Sequence, residues 1–198
     1  MDKNLSNFAM QNSLSGFEFL SCIPGTIGGA VKMNSGCYED DISKILISLQ
    51  VMDYYGNIRI IQSSDIEFHY RGSNLDNNLI FISATLKGKK ENKSKIKNKI
   101  EKLINKKKKD QPSKIKTCGS TFKNPKGNKA WKLIKDSECA GITVGDACIS
   151  KKHCNFFINK GNAKSKDLED LINKVKRKVF NKTGINLELE LHIIGESL

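Results

Sequence analysis

A glycine-rich segment near the start is the first stretch of this sequence whose residues could do chemistry. It reads Ile-Pro-Gly-Thr-Ile-Gly-Gly-Ala over residues 23–30. Gly25, Gly28 and Gly29 let backbone N–H groups approach an anion, and the Thr26 hydroxyl adds a donor. The segment could bind a phosphate-bearing ligand or could be a tight structural turn, because its spacing matches neither the Gly-x-Gly-x-x-Gly fingerprint nor a phosphate loop.

Two further segments carry candidate charged or nucleophilic groups. Arg71 follows an aromatic pair and precedes a glycine, so its guanidinium could pair with a substrate carboxylate, or it could be a surface arginine in a loop. Ser120 follows Gly119, and Lys123 and Asn124 come within four residues of it. Because the Gly-x-Ser-x-Gly pattern and a positioned histidine are missing, a serine hydrolase is not indicated.

Glu190 is the fourth candidate. It lies in an alternating segment that predicts a strand over 187–193, with Glu188, Glu190 and His192 on one face and Leu187, Leu189, Leu191 and Ile193 on the other. Its carboxylate could be functional or could belong to an exposed strand face.

These residues need elements to position them, and the patterns predict an α+β fold without internal repeats. Residues 45–53 and 58–62 read as a hairpin, residues 120–123 as a strand, and a long helix begins at Ser165 as N-cap and ends at Gly184. Between residues 87 and 109, isoleucines and a leucine recur at helical spacing. We predict a first domain over 1–86, a basic amphipathic linker helix over 87–111 and a second domain over 112–198.

The composition limits the classes of function. The chain has 198 residues and a formal net charge of +13, and twelve lysines with only two glutamates lie between Lys87 and Lys109. This stretch lacks the arginine and aromatic residues typical of nucleic-acid surfaces, so we expect a solvated helix face and no nucleic-acid partner. No apolar run is long enough to cross a membrane and no secretory signal is visible, so we expect a cytoplasmic protein that contacts no membrane.

The cysteines and histidines predict neither a disulfide framework nor a metal site. The six cysteines have no regular spacing and form no Cys-x-x-Cys pair, so free thiols are expected. None of the three histidines has ligand spacing to a cysteine pair, and we expect no metal.

Taken in order, the segments resemble one family, the flavin-dependent UDP-N-acetylenolpyruvoylglucosamine reductases. The matching stretches are residues 16–38, Tyr-Arg-Gly-Ser at 70–73, Gly-Ser-Thr-Phe-Lys-Asn-Pro at 119–125, Lys-His-Cys-Asn-Phe at 152–156 and residues 187–196. Five motifs in the same order are specific where each alone is not, and the likeness spans essentially the whole chain.

The resemblance implies the C-terminal part of a flavin-binding α+β domain followed by a smaller α+β substrate-binding domain. It implies NADPH-driven reduction, with FAD as cofactor, of the enolpyruvyl ether of UDP-N-acetylglucosamine to UDP-N-acetylmuramate for peptidoglycan synthesis. The residues that it places along the flavin are Gly25, Thr26, Gly28, Gly29 and Asn34. The residues that it places at the substrate are Arg71, which stabilises the enolate, Ser120, which donates the proton, Glu190, which assists, and Lys123, Asn124 and His153, which contact the UDP-sugar.

The sequence departs from the family pattern at three places. Asp146 stands where a glycine is usual, and Ala140 where a basic residue is frequent. Family members also carry an additional N-terminal subdomain, with a flavin-cradling loop, ahead of the position that matches Met1. The alternative expectation is therefore an inactive remnant, or half of a split enzyme whose partner is a separately encoded FAD-binding piece.

Overall fold

The computed structural model describes residues 1–195 and is a mixed α+β protein, which confirms the predicted fold class. The chain folds as two units, Met1–Lys107 and Lys108–Leu198. The α-helices are α1 Asp2–Gln11, α2 Ile27–Lys32, α3 Lys93–Asp110, α4 Ala130–Asp136 and α5 Ser165–Thr183. The strands are β1 Leu14–Ser15, β2 Gly36–Cys37, β3 Asp40–Asp41, β4 Leu46–Met52, β5 Ile58–Gln62, β6 Phe68–His69, β7 Gly72–Ser73, β8 Ile80–Leu86, β9 Lys89–Lys90, β10 Thr143–Val144, β11 Ala147–Ile149 and β12 Phe157–Asn159.

The first unit is organised around an antiparallel sheet of order β5-β4-β8. The predicted hairpin is β4–β5, in which Leu49 lies opposite Ile61, and the Asp53 carboxylate closes the turn by accepting the N–H groups of Tyr55 and Asn57 at 2.9 Å. Leu49 and Val51 of β4 are buried on one face, and Leu46 is buried three residues before Leu49 because the pairing with β8 shifts register between Leu46 and Ser48. The core behind it includes Phe19, Leu20, Val31, Ile42, Leu49 and Val51.

Helix α3 is the predicted lysine-rich helix. Ile96 and Ile100 are buried and Leu103 and Ile104 are half-buried, which confirms the apolar stripe read from their spacing. The lysines are not all solvated, however. Lys99 Nζ lies 3.6 Å from a carboxylate oxygen of Glu18, a buried residue of the first unit.

In the second unit, α5 packs against β10 and β11 of the three-stranded sheet β10-β11-β12, and α4 packs against α5. Its core includes Phe122, Ile134, Ile149, Leu171, Val175 and Val179. Helix α5 ends at Gly184, whose left-handed φ of 71° confirms the predicted C-cap. The predicted N-cap is wrong: the cap is Lys164, because the Asp167 carboxylate accepts the Lys164 N–H at 2.9 Å and so fixes the first turn one residue earlier.

The two strands predicted over 120–123 and 187–193 are reduced to isolated bridges. Leu189 pairs with Phe122 and Ser120 with Phe156, but neither segment forms a continuous ladder. The segment 120–124 is too short to form a ladder. It begins after Gly119, whose φ is +89°, and it ends before Pro125, which has no N–H to donate. Leu187 is nevertheless buried and Leu189 and Leu191 pack on the core, whereas Ile193 is exposed.

No helix of the described residues is both long and apolar enough to cross a membrane. Within residues 1–195 no cluster of three or more histidine, cysteine or acidic side chains could hold a metal ion. Glu196, the end of the last matching stretch, lies outside the described residues together with the final two positions of the 112–198 domain.

Candidate active site

The glycine-rich segment forms the start of helix α2. Thr26 is the N-cap, and its side-chain oxygen accepts the Gly29 N–H at 3.3 Å. Gly28 and Gly29 therefore lie within the helix. The glycines differ in the space around them: a Cβ on Gly25 would come within 2.9 Å of an Asp2 carboxylate oxygen, whereas one on Gly29 would meet only the Thr26 hydroxyl at 3.5 Å.

This geometry tests whether the segment fits a flavin. Thr26 and Gly29 are at least partly exposed, so backbone and hydroxyl groups can be reached from outside at this edge. On the opposite side, the Asp2 carboxyl is buried, and burial raises its pKa. Neither of its oxygens has a hydrogen-bond partner in the described part of the chain. The open edge fits a polar ligand that approaches the backbone closely, and Gly25 has an added reason to be a glycine because a Cβ there would clash with Asp2.

Asn34 and Lys32 connect this segment to the hairpin that carries Arg71. The Asn34 side chain accepts the Ser43 N–H at 3.1 Å and donates to the His69 carbonyl at 3.4 Å. Lys32 Nζ donates to the Leu75 carbonyl at 2.6 Å. The predicted flavin segment and the predicted arginine segment are therefore held together by hydrogen bonds within the first unit.

Arg71 occupies the two-residue turn between β6 and β7. Its φ of 60° is left-handed, a conformation that costs a non-glycine residue about 1 kcal/mol or more. The pairing of His69 with Gly72 fixes the turn, and the guanidinium carbon lies 4.9 Å from the centroid of the Tyr70 ring. Strain of this kind persists only where surrounding contacts hold the residue in place. Here the hydrogen bonds from Lys32 to the Leu75 carbonyl and from Asn34 to the His69 carbonyl hold the hairpin.

In the second unit, backbone pairing brings the Ser120 segment beside Glu190. The Glu190 N–H donates to the Thr121 carbonyl at 2.9 Å, and the Lys123 N–H donates to the Glu188 carbonyl at 2.9 Å. On its other side the segment donates from the Thr121 N–H to the Asn155 carbonyl at 2.8 Å. Ser120 and Glu190, which are 70 positions apart in the sequence, thus belong to neighbouring chain segments.

Asn155 is the positioning residue that the sequence analysis missed. Its side chain accepts the Phe122 N–H at 2.9 Å and donates to the Phe122 carbonyl at 2.8 Å, so that one buried amide satisfies both backbone groups of Phe122. The one signal in the sequence was its place in the matching stretch at 152–156. Nothing in the spacing, however, distinguished it from its neighbours.

Lys123 and Asn124 already have partners within the chain. Lys123 Nζ lies 3.6 Å from a Glu188 carboxylate oxygen, an ion pair in which Glu188 is largely exposed. The Asn124 side-chain oxygen accepts the Ala130 N–H at 3.0 Å, which holds the start of helix α4. Asn124 therefore has a structural task beside the substrate contact predicted for it.

His153 sits between two aromatic rings. Its ring centroid lies 4.8 Å from that of Phe156 in an edge-on arrangement and 6.2 Å from that of Trp131. Burial lowers the pKa of His153, because the charged imidazolium loses hydration. Its Nδ1 is buried without a partner in the residues the structure describes. A neutral imidazole is the form that this environment favours.

The two single-residue departures from the family pattern have different surroundings. Asp146 is half-buried, and its carboxylate accepts the Asn162 N–H at 3.0 Å, so it stabilises the turn after β12. Gly145, next to Asp146, has φ +49°, and a Cβ there would come within 2.6 Å of the Asp167 carboxylate. Ala140 is exposed.

Comparison of this chain with known proteins identifies its fold and its family. The fold matches that of a crystal structure of UDP-N-acetylenolpyruvylglucosamine reductase from Thermus caldophilus, with a TM-score of 0.86 and 34% identity over 96% of this chain and 68% of that one. Residues 111–194 match the family model described as UDP-N-acetylenolpyruvoylglucosamine reductase, C-terminal domain. The chain belongs to the UDP-N-acetylenolpyruvoylglucosamine reductase family, as the sequence motifs predicted.

Curated relatives agree with this assignment. The UDP-N-acetylenolpyruvoylglucosamine reductase of Pelagibacter ubique is 52% identical over 98% of this chain and 65% of the relative. That of Rickettsia prowazekii is 44% identical over 99% of this chain and 66% of the relative. The chain therefore spans about two thirds of the length of the relatives that it matches.

Proposed function

We propose that this chain contributes the substrate-reducing part of a flavin-dependent oxidoreductase. The reaction is the NADPH-driven reduction of UDP-N-acetylglucosamine enolpyruvate to UDP-N-acetylmuramate, a cytoplasmic step of peptidoglycan precursor synthesis. The observation that supports it most directly is the pairing of Thr121 with Glu190, which puts the proposed proton donor and its assisting carboxyl in adjacent segments of a family member.

A bound FAD, once reduced by NADPH, would supply the hydride that adds to the terminal carbon of the enolpyruvyl group. Negative charge then develops on the neighbouring carbon and its carboxylate. Arg71 is proposed to stabilise that charge, because a guanidinium matches a carboxylate with two parallel N–H donors. Its hairpin, fixed by Asn34 and Lys32, would hold the guanidinium in place before the substrate arrives.

Ser120 is proposed to donate the proton that completes the reduction. A serine hydroxyl is a weak acid in water, but a strongly basic enolate in a dry site can take its proton when the geometry is fixed. Two contacts fix the backbone around Ser120. They are the β-bridge from Ser120 to Phe156 and the hydrogen bonds between Asn155 and Phe122. Glu190 is proposed to assist at the same intermediate.

The remaining assignments follow the same family match. The flavin is proposed to lie along Gly25, Thr26, Gly28, Gly29 and Asn34, of which Thr26 and Gly29 form the open edge. The UDP-sugar is proposed to contact Lys123, Asn124 and His153. Because His153 is held neutral by burial, its contribution to a diphosphate would be a hydrogen bond and not a charge.

The test separates the two half-reactions. In protein reconstituted with FAD and with the N-terminal piece proposed below, Ser120→Ala should lower product formation by about 100-fold or more and leave flavin bleaching by NADPH within about twofold of wild type. The matched control is Ser113→Ala, an exposed serine seven positions earlier, which should change neither rate. Equal loss of both half-reactions in Ser120→Ala would contradict the role of Ser120.

Arg71 has a matched control in Arg59, which is exposed on β5. Arg71→Lys keeps the charge but loses bidentate geometry and should lower the rate of product formation by about 10- to 100-fold. Arg59→Lys should leave the rate unchanged. Similar rates in the two variants would refute the role given to Arg71.

A second proposal concerns cofactor affinity. About a third of the relatives' length has no counterpart in these residues, and we propose that the flavin site needs a further piece corresponding to it. FAD fluorescence titrations would compare the chain alone with the chain plus the N-terminal third of the Pelagibacter ubique relative as a separate polypeptide. Binding should be at least about tenfold tighter with the added piece, and equally tight binding by the chain alone would refute the proposal.

A further inference from the structure

Strand β8 is an edge strand without the charged residue or proline that commonly protects such an edge. It pairs with β4 alone among the described residues, so its other side presents unpaired backbone N–H and C=O groups. The seven residues of Ile80–Leu86 read Ile-Phe-Ile-Ser-Ala-Thr-Leu, and the pairing with β4 continues on both sides of a bulge at Ile82. By contrast β5, at the opposite edge of the sheet, carries Arg59. An uncharged edge of this length is a template for pairing with another chain segment.

A groove of about 670 Å³ follows this edge of the sheet. Phe81, which lines it, lies opposite the buried Val51 and therefore belongs to the core-facing side of the sheet. Ser83 also lines it, but its hydroxyl donates to the Gln50 side chain at 3.0 Å on the other side of the sheet. Because residues of both faces line the groove, it runs along the backbone edge of β8.

The lining of the groove is apolar. Helix α1 contributes Phe8 to it, and helix α2 contributes Ile27 and Gly28. None of the lining side chains is charged, and only those of Asn4 and Ser83 are polar. A segment that fits this groove must be extended, so that it can pair with β8, and must turn uncharged, apolar side chains toward α1.

We propose that the edge of β8 and this groove receive a β-strand from the further polypeptide piece that the flavin site needs. The strand pairs its backbone with β8 and places alternate apolar side chains in the groove. The relatives carry about a third of their length beyond the part that this chain matches, far more than one strand requires. Since Ile27 and Gly28 line the groove, the added strand lies beside the proposed flavin segment. The inference rests on the proposed function, which is what calls for the piece.

Amide hydrogen exchange, measured by mass spectrometry, tests the addition of a strand. The chain is coexpressed with the tagged N-terminal third of the Pelagibacter ubique relative, and the purified complex is compared with the chain alone. New backbone hydrogen bonds should slow exchange within Ile80–Leu86 by at least about tenfold. The matched control is Ile58–Gln62, the strand at the opposite edge of the same sheet, which should exchange at the same rate in both samples.

Two lysine substitutions on the same sheet form a matched pair. Ile82 lines the groove and is 47% exposed, whereas Ile60 on β5 is 62% exposed at the other edge, so neither change removes a buried side chain. A lysine at an edge opposes strand pairing, and its ammonium would be buried without a partner in the complex. Ile82→Lys should therefore weaken binding of the piece by at least about tenfold, and Ile60→Lys should leave it unchanged. If Ile82→Lys does not fold, Phe8→Lys, at a residue of α1 that is 59% exposed, makes the same comparison.

Several results would overturn the proposal. They are the absence of a complex, a complex in which exchange within β8 is not slowed, slowing by FAD without the piece, and slowing that appears in the chain alone as its concentration rises. The last two would identify the cofactor or a second copy of the chain as the occupant. The FAD titration described above judges the cofactor proposal separately. Tighter FAD binding without slowed exchange in β8 would count against this surface alone, and slowed exchange without tighter FAD binding would count against the cofactor proposal alone.

Discussion

Replacing Asn155 tests whether its side chain holds the Ser120 segment. In Asn155→Ala, the Phe122 N–H and C=O lose their partners while Phe122 remains buried. Each of these two unsatisfied buried groups costs about 1–3 kcal/mol, so the free energy of unfolding should fall by about 2–6 kcal/mol. At a urea m-value of about 2 kcal/mol/M, a loss of about 4 kcal/mol moves the unfolding midpoint down by about 2 M at unchanged m.

Two further variants distinguish hydrogen bonding from packing. The control is Asn128→Ala, an exposed asparagine whose side chain donates to the nearby Lys126 carbonyl, and its cost should stay below about 0.5 kcal/mol. Asn155→Asp preserves the shape and the acceptor but turns an oxygen toward the Phe122 carbonyl. It should therefore be at least as destabilising as Asn155→Ala at neutral pH.

The stability of the Asn155→Asp variant should fall as the pH rises. The buried carboxyl is more stable protonated, since only then can it donate to the Phe122 carbonyl, so its pKa should be raised in the folded state. Stability relative to wild type should thus be largest at low pH and fall as the pH rises through that pKa. An Asn155→Asp variant as stable as wild type at neutral pH, or an Asn155→Ala variant no worse than Asn128→Ala, would refute the reasoning.

Two other predictions concern pH and backbone contact. Because burial lowers the pKa of His153, its contribution to stability is present above the unfolded pKa and lost as pH falls, so urea midpoints should drop between about pH 7.5 and pH 5.5. His153→Phe should flatten that slope, whereas His192→Gln, at an exposed site, should not. Gly36→Ala should cost about 1–3 kcal/mol in thermal unfolding, since its Cβ would lie 2.7 Å from the Asp40 carbonyl oxygen; Gly29→Ala, with room for the methyl group, should cost nothing.

Periodicity predicted the regular elements well and the short pairings poorly. Ile96 and Ile100 face the core as their helical spacing indicated, and Gly184 caps α5 in the left-handed conformation that a glycine permits. The alternation after Leu187 predicted the burial but not the strand. A pattern of period two reports which side chains are buried, whereas a ladder also needs a partner segment of matching length, which depends on Gly119 and Pro125.

The candidate residues were identifiable only as an ordered set of motifs. Arg71, taken singly, could have been a surface arginine, and no spacing rule links Ser120 to Glu190. What sequence reasoning missed are groups whose role depends on tertiary contact. The hydrogen bonds of the Asn155 amide and the pairing of Lys99 with buried Glu18 join residues at sequence separations for which no local rule exists.

Because the Asn34 side chain makes two hydrogen bonds to the backbone, a substitution of Asn34 would have more than one effect. The family match places Asn34 along the flavin, yet its side chain binds the backbone of Ser43 and of His69, two residues before Arg71. Removing it would therefore disturb the hairpin that holds Arg71 in a left-handed conformation, as well as any flavin contact. Since both effects lower activity, a loss of rate alone could not assign Asn34 to the cofactor; only flavin affinity measured separately from turnover distinguishes a cofactor contact from a support of the arginine turn.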